Sequence, residues 1–266
     1  MIKINGNHIG EDCYPNNERI FRLPLERFYQ DEDFIIELKY TTDIDLSILN
    51  MCKRYLENNF YNSKVTLVMK YIPYSRMDRN INGYMFSLKY FCKFINELYF
   101  DEVIVLDPHS NVATALLDRC VEIDLNPYID KIMRRLQIDY VLFPDNGSLK
   151  KYTEILTLRK LYFYGNKKRN LQTGKILYYE LIDCPDLKGK NILIIDDLCS
   201  KGGTCHHASL KLKELGVNEI YLYFSHCEDS IYDGALLNSG LISKIFTTDS
   251  ILSNWTNSLL SNIEQI

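Results

Sequence analysis

The segment from Asn191 to Thr204 joins an apolar run to two acids, Asp196 and Asp197, and then to the small stretch Cys199-Ser200-Lys201-Gly202-Gly203-Thr204. The β-branched run predicts a buried strand, and the apolar pattern beyond Thr204 predicts a helix. At such a junction the backbone N–H groups of the helix N-terminus attract phosphate. Gly202 and Gly203 let that backbone come close, while Thr204 adds a hydroxyl donor. Acids beside a phosphate loop would repel a bare phosphate, so Asp196 and Asp197 fit better as acceptors from sugar hydroxyls or as neighbours of a metal ion. A ribose phosphate satisfies both halves of the string. An ordinary turn with helix-capping acids accounts for a glycine pair alone but not for the complete string. A Walker A loop is excluded, because Gly-x-x-x-x-Gly-Lys-Ser/Thr occurs nowhere in the chain.

Other strings carry basic and metal-binding residue types. They are Tyr71-Ile72-Pro73-Tyr74-Ser75-Arg76-Met77-Asp78-Arg79, Leu106-Asp107-Pro108-His109-Ser110, the stretch from Phe143-Pro144-Asp145 to Lys151, and Gly165-Asn166-Lys167-Lys168-Arg169. Ser225-His226 and Thr247-Thr248-Asp249-Ser250 follow. Singly each is weak, since a lone basic residue is usually a solvated surface group and a lone His usually structural. Their joint order is the informative feature.

That order, from about Tyr14 to Ile251, resembles the ribose-phosphate pyrophosphokinases, also called phosphoribosyl pyrophosphate synthetases. Type I phosphoribosyltransferases share the Asp-Asp and Gly-Gly-Thr signature but lack the Pro-Tyr-x-Arg-x-Asp-Arg string. The resemblance implies that Tyr14, Glu18, Arg76, Asp78, Arg79 and His109 bind ATP, and that Asp196, Asp197 and Cys199 to Thr204 hold a ribose phosphate. It implies that His109 and Asp145 contact Mg²⁺, and that Lys167 and Arg169, on a flexible loop, act with His109 in catalysis. The implied reaction transfers the β,γ-diphosphate of ATP to an anomeric hydroxyl and releases AMP. Such a transfer must neutralise several oxygens at once, which calls for Mg²⁺ with Lys and Arg donors rather than covalent chemistry.

Several positions depart from the family. Tyr14-Pro15-Asn16-Asn17-Glu18 comes almost at once, so the family's first helix reads as deleted, as in short bacteriophage members, and Asn17 stands where the family has Gly. Ser200 and Lys201 replace an Asp and a Thr, making the acceptor loop more anion-attracting. Tighter holding of a 5-phosphate and an acceptor with a second phosphate, such as ADP-ribose in NAD resynthesis, are both consistent with this. A phosphoribosyltransferase and a silent regulatory subunit are the rival readings. The resemblance also implies a homo-oligomer whose active site lies near a subunit interface.

The bulk numbers bound the setting. The chain has 266 residues, 46% of them hydrophobic, and a formal charge of −4, so general attraction to nucleic acid is not expected. Eight cysteines without a C-x-x-C pair suggest reduced thiols, and no apolar run approaches the roughly 20 residues that span a bilayer. A cytoplasmic enzyme is expected, in the host cytoplasm if phage-encoded.

Strands are expected at Val65–Ile72, Val103–Leu106, Tyr140–Phe143, Ile192–Ile195 and Ile220–Phe224. Tyr84, Leu88, Phe91, Cys92, Ile95 and Leu98 predict one helical stripe; Ala208, Leu210, Leu212 and Leu215 predict another, stopped by Gly216. The alternation is that of an α/β protein. The resemblance specifies two similar type I phosphoribosyltransferase-like domains, each a mainly parallel sheet flanked by helices. The expected boundaries are 1–125 for the ATP-binding domain and 126–266 for the ribose-phosphate-binding domain, with the last strand region packing back on the first.

Overall fold

In the computed structural model, which describes residues 1–29, 32–81, 83–157, 161–169, 176–253 and 263–266, Val65–Met69 alternates buried and half-buried residues. Ile192–Ile195, by contrast, is buried without interruption. The two rhythms belong to two units, Met1–Ile123 and Asp124–Ile266. That division falls just before the boundary expected after residue 125.

The first unit contains β1 (Ile2–Ile4), β2 (Asn7–His8), β3 (Gly10–Cys13), β4 (Arg19–Arg22), β5 (Phe34–Leu38), α1 (Ile44–Asn59), β6 (Val65–Met69), α2 (Ser87–Asn96), β7 (Glu102–Leu106), α3 (Asn111–Leu116) and β8 (Cys120–Ile123). Its six-stranded sheet has the order β2-β1-β5-β6-β7-β8, and β3 and β4 form a separate hairpin. From β5 to β8 the strands are parallel and advance in one direction. Right-handed crossovers therefore set α1, α2 and α3 on a single face, which explains why alternate strand residues are buried.

The second unit contains α4 (Asn126–Leu136), β9 (Tyr140–Phe143), α5 (Asn146–Ile155), β10 (Leu161–Arg169), β11 (Ile176–Ile182), β12 (Ile192–Cys199), α6 (Gly203–Glu214), β13 (Ile220–Cys227), β14 (Lys244–Thr247) and β15 (Ile263–Gln265). Its sheet order is β11-β10-β9-β12-β13-β14-β15. Among the described residues of this sheet, only the β10–β11 pair is antiparallel. From β9 the chain crosses through α5 to one side, and from β12 it crosses through α6 to the other. Right-handed connections then place the two helices on opposite faces, so both faces of β12 are covered. The gap between the carboxyl ends of β9 and β12 is the point where strand order reverses, the usual ligand position in an open α/β sheet.

The helical stripe of α2 buries Leu88, Phe91, Cys92 and Ile95. Tyr84 does not belong to it: it lies before the helix and is 69% exposed. On α6, Cys205, Ala208, Ser209 and Leu212 face inward, while Leu210 and Leu215, expected in the core, are exposed. A residue two positions from Ala208 turns about 200° away from it, so Leu210 cannot share its face. β6 stops at Met69 rather than Ile72, and β12 runs on to Cys199, which puts Asp196 and Asp197 inside the strand. The last described strand, β15, pairs with β14 within the second unit. Among the described residues, no helix is long and apolar enough to cross a membrane.

The burial rhythms predict where a hydroxyl is tolerated. Ile194→Thr and Ile195→Thr should each lower unfolding stability by about 2 kcal/mol or more, whereas Val68→Thr should cost well under about 1 kcal/mol. Urea denaturation midpoints check this, and equal losses at all three positions would contradict one-sided coverage of the first sheet.

Candidate active site

Asp145 follows β9 and caps α5. Its carboxylate accepts from Ser148 N–H at 2.9 Å, and the Ser148 hydroxyl accepts from Asp145 N–H at 3.2 Å. The remaining carboxylate oxygen meets Lys167 Nζ at 2.5 Å. Lys167 also donates to the Thr204 hydroxyl at 3.4 Å, so one ammonium joins the end of β9 to the start of α6. The resemblance implies a flexible loop here, yet the described backbone from Leu161 to Arg169 is strand, with Lys167 opposite Tyr179 on β11. The side chain of Arg169 lies outside the described residues, as do residues 170–175.

Close backbone approach makes this hairpin fit. A Cβ on Gly165 would stand 2.1 Å from the Tyr179 hydroxyl and 2.8 Å from the Pro144 carbonyl, to which that hydroxyl donates. Tyr179 thereby fastens β11 to the turn that presents Asp145.

On β12 the two acids meet different neighbours, as adjacent strand residues should. Burial pushes the Asp196 carboxyl well above the ordinary carboxylate range, Asp197 and Asp145 add to the rise, and Lys167 opposes it. The Asp197 N–H donates to Asp196 Oδ1 at 3.1 Å. Asp197, itself buried, has Lys151 of α5 at 3.9 Å. At Asp145 burial raises the carboxyl pKa, but Lys167 and Ser148 outweigh it and hold the group below its usual range.

The loop after β12 turns through Gly202 at φ +71°, with the residue's open side against Leu236. A Cβ on Gly203 would meet nothing within 4 Å, which leaves this helix start open to a ligand. Behind the loop, the Ser200 and Ser230 hydroxyls are 3.0 Å apart, Ser230 donates to Glu228 at 3.1 Å, and Gly234 packs against the Lys201 carbonyl. Lys201 is exposed. Cys199, counted from the sequence with the acceptor loop, turns its thiol into the core; its hydrogen bond with Cys227 and its burial push that thiol well up. Sequence reasoning missed Lys151, Ser230, Gly234 and Leu236 as neighbours of the site. Only Lys151 carried a signal, as part of the Phe143–Lys151 string.

In the first unit, Arg76, Asp78 and Arg79 lie on the loop after β6, and His109 on the loop after β7. The Ser110 hydroxyl donates to Asp78 at 2.8 Å and ties these loops together. Tyr14 and Glu18 are exposed at the tip of the β3–β4 hairpin, where Asn17 adopts φ +67°. Asparagine tolerates that left-handed conformation, so the turn forms without glycine. The expected Mg²⁺ contacts, His109 and Asp145, are divided between the two units. Among the described residues, no group of three or more His, Cys, Asp or Glu side chains is gathered to hold a metal.

Two substitutions test this geometry. In Lys167→Met the Asp145 carboxyl should titrate higher than in the wild type, because the cation that lowers it is gone; carbon-13 NMR titration reads it, and an unmoved value would contradict the assignment. Gly234→Ala drives a Cβ to 2.1 Å from the Lys201 carbonyl oxygen. It should lower stability by about 1–3 kcal/mol in a thermal melt.

No family model matches the chain. It is 28% identical over 250 residues to the ribose-phosphate pyrophosphokinase of Sulfurisphaera tokodaii, covering 90% of this chain and 82% of the relative. To the ribose-phosphate pyrophosphokinase of Pyrococcus abyssi it is 32% identical over 241 residues, covering 85% and 79%. Among solved structures, the phosphoribosylpyrophosphate synthetase from Mycobacterium smegmatis has a similar fold, with a TM-score of 0.75 at 16% identity over 97% of this chain and 85% of that one. Identity at this level across most of both chains, on that fold, shows that the chain belongs to the ribose-phosphate pyrophosphokinase family.

Proposed function

We propose that this enzyme transfers the β,γ-diphosphate of ATP to the anomeric hydroxyl of ribose 5-phosphate, giving phosphoribosyl pyrophosphate and AMP. The observation that carries the proposal is the bridge from Lys167 to both Asp145 and Thr204 where the strand order reverses. Asp196 and Asp197 accept from the ribose hydroxyls, and the N–H groups and hydroxyls from Ser200 to Thr204 take the 5-phosphate. Arg76, Asp78, Arg79 and His109, with Tyr14 and Glu18, bind ATP. The anomeric hydroxyl gives up its proton to solvent as its oxygen bonds to the β-phosphorus, the bond from that phosphorus to the α,β-bridging oxygen breaks, and AMP leaves with the bonding pair. Lys167 and Arg169 offset charge on the transferred oxygens.

The donors suit Mg²⁺, which takes one or two carboxylates and completes its shell with water and phosphate oxygens. Asp145 offers such a carboxylate, with Asp196 close enough to feel its charge. The family resemblance assigns contacts with the ion to His109 in the first unit and Asp145 in the second; when bound, the ion would neutralise the diphosphate oxygens.

ADP-ribose carries the same anomeric hydroxyl, and exposed Lys201 favours testing it as a second acceptor. We extend the proposal to a homo-oligomer in which the exposed Tyr14 and Glu18 serve a neighbouring subunit's nucleotide.

Mass detection of AMP and the 1-pyrophosphate product, with Mg-ATP and either acceptor, tests the reaction. Product from ribose 5-phosphate is expected; product from ADP-ribose alone would reassign the acceptor, and none from either would end the proposal. Lys167→Ala should lower kcat by about 10²–10³-fold while ATP-analogue binding changes little. Equal loss of binding and turnover would contradict its role.

A further inference from the structure

Tyr74 sits between the end of β6 and Arg76, and its backbone is left-handed at φ +62°. That conformation is unfavourable for a bulky side chain and persists only where its surroundings over-determine it. The described surroundings do so. The Tyr74 ring packs at 5.8 Å from Phe91 and 6.2 Å from Tyr40, centroid to centroid. Its hydroxyl donates to Asp43, which also accepts from the Tyr40 hydroxyl at 2.6 Å. Asp43 immediately precedes α1, where an aspartate ordinarily caps the helix, but its side chain makes no cap hydrogen bond. Hydrogen bonds from Tyr40 and then Tyr74 hold the Asp43 carboxyl below its usual range, as expected for an acceptor of two phenols.

The Tyr74 carbonyl accepts from Met77 N–H at 2.8 Å, so the ring's anchorage passes directly into the turn that carries Arg76. We infer that Asp43 and Tyr40 are positioning residues for ATP, fixing the Tyr74 hydroxyl and through it the conformation of the Arg76–Arg79 loop. The inference rests on the ATP-binding reading of that loop. Neither Asp43 nor Tyr40 lies in a string that pointed to function, and both reach the loop only through folding.

Titration calorimetry of the full chain with Mg²⁺ and α,β-methylene-ATP tests it, with ribose 5-phosphate binding and thermal melting as controls. Tyr74→Phe and Asp43→Ala should each weaken the nucleotide analogue about tenfold, with ribose 5-phosphate affinity and melting temperature little changed. Asp43→Asn, which keeps a carbonyl acceptor, should recover part of the loss. Tyr74→Gly separates anchor from backbone, since glycine adopts the left-handed turn freely but has no hydroxyl. It should bind as weakly as Tyr74→Phe, and wild-type affinity in Tyr74→Gly would overturn the inference. Wild-type affinity in Tyr74→Phe and Asp43→Ala, beside a loss in Arg76→Ala, would overturn it while leaving the ATP reading intact. Undiminished binding by Arg76→Ala would refute that reading and the inference with it. Loss of both ligands with a fallen melting temperature would reduce Asp43 to a structural role.

Discussion

Three carboxylates, Asp145, Asp196 and Asp197, converge at the carboxyl ends of two neighbouring parallel strands, and the arrangement around them answers that crowding. Pairing of β9 with β12 brings the segments that carry them side by side. Lys167 reaches in from the β10–β11 hairpin, and Lys151 from α5 on the opposite face. Even so the Asp196 carboxyl stays raised, first by desolvation and then by its two acidic neighbours. The candidate phosphate loop lies beyond Cys199, where the helix N-terminus supplies N–H groups instead.

The first unit reaches a comparable layout by a different backbone device. In the second unit Gly202 supplies the left-handed turn after the strand. In the first, Tyr74 and Asp107 adopt positive φ after β6 and β7, where glycine would have been easier. Each is then held by its side chain or its burial, and the Ser110–Asp78 bond closes the two loops on one another. Of the positive-φ residues that are not glycine, Tyr74 and Asp107 stand at the strand ends that carry the candidate ATP residues, where binding sites often hold such strain.

What could be read from the sequence was local. The strand, acid pair and glycine loop of residues 191–204 form one contiguous string, so their order alone indicated both shape and chemistry. Periodicity erred where it counted apolar residues without knowing where a helix starts: Tyr84 precedes α2, and Leu210 lies off the inward face of α6. Pairing of Lys151 with Asp197, backing of the loop by Gly234 and Leu236, and anchorage of Tyr74 by Asp43 join residues far apart in the chain. Spacing carries no record of such contacts. Asn17 is an intermediate case, since its departure from glycine was visible but the backbone angle that reconciles it was not.

The β10–β11 pairing has a consequence for how this hairpin can vary. Lys167, Lys168 and Arg169 are consecutive basic residues, and only the phase of the hairpin decides which of them turns toward Asp145. Lys167 lies opposite Tyr179 and reaches the acid, while Lys168 is exposed. The register shifts between Lys168 and Arg169, so the alternation is interrupted just past the lysine it serves. Inserting or removing one residue between Gly165 and Lys167 would exchange the two faces and present a different cation, whereas length changes beyond the shift leave the phase at Lys167 intact. In this chain the lysine that meets Asp145 is thus set by pairing parity rather than by the basic run itself.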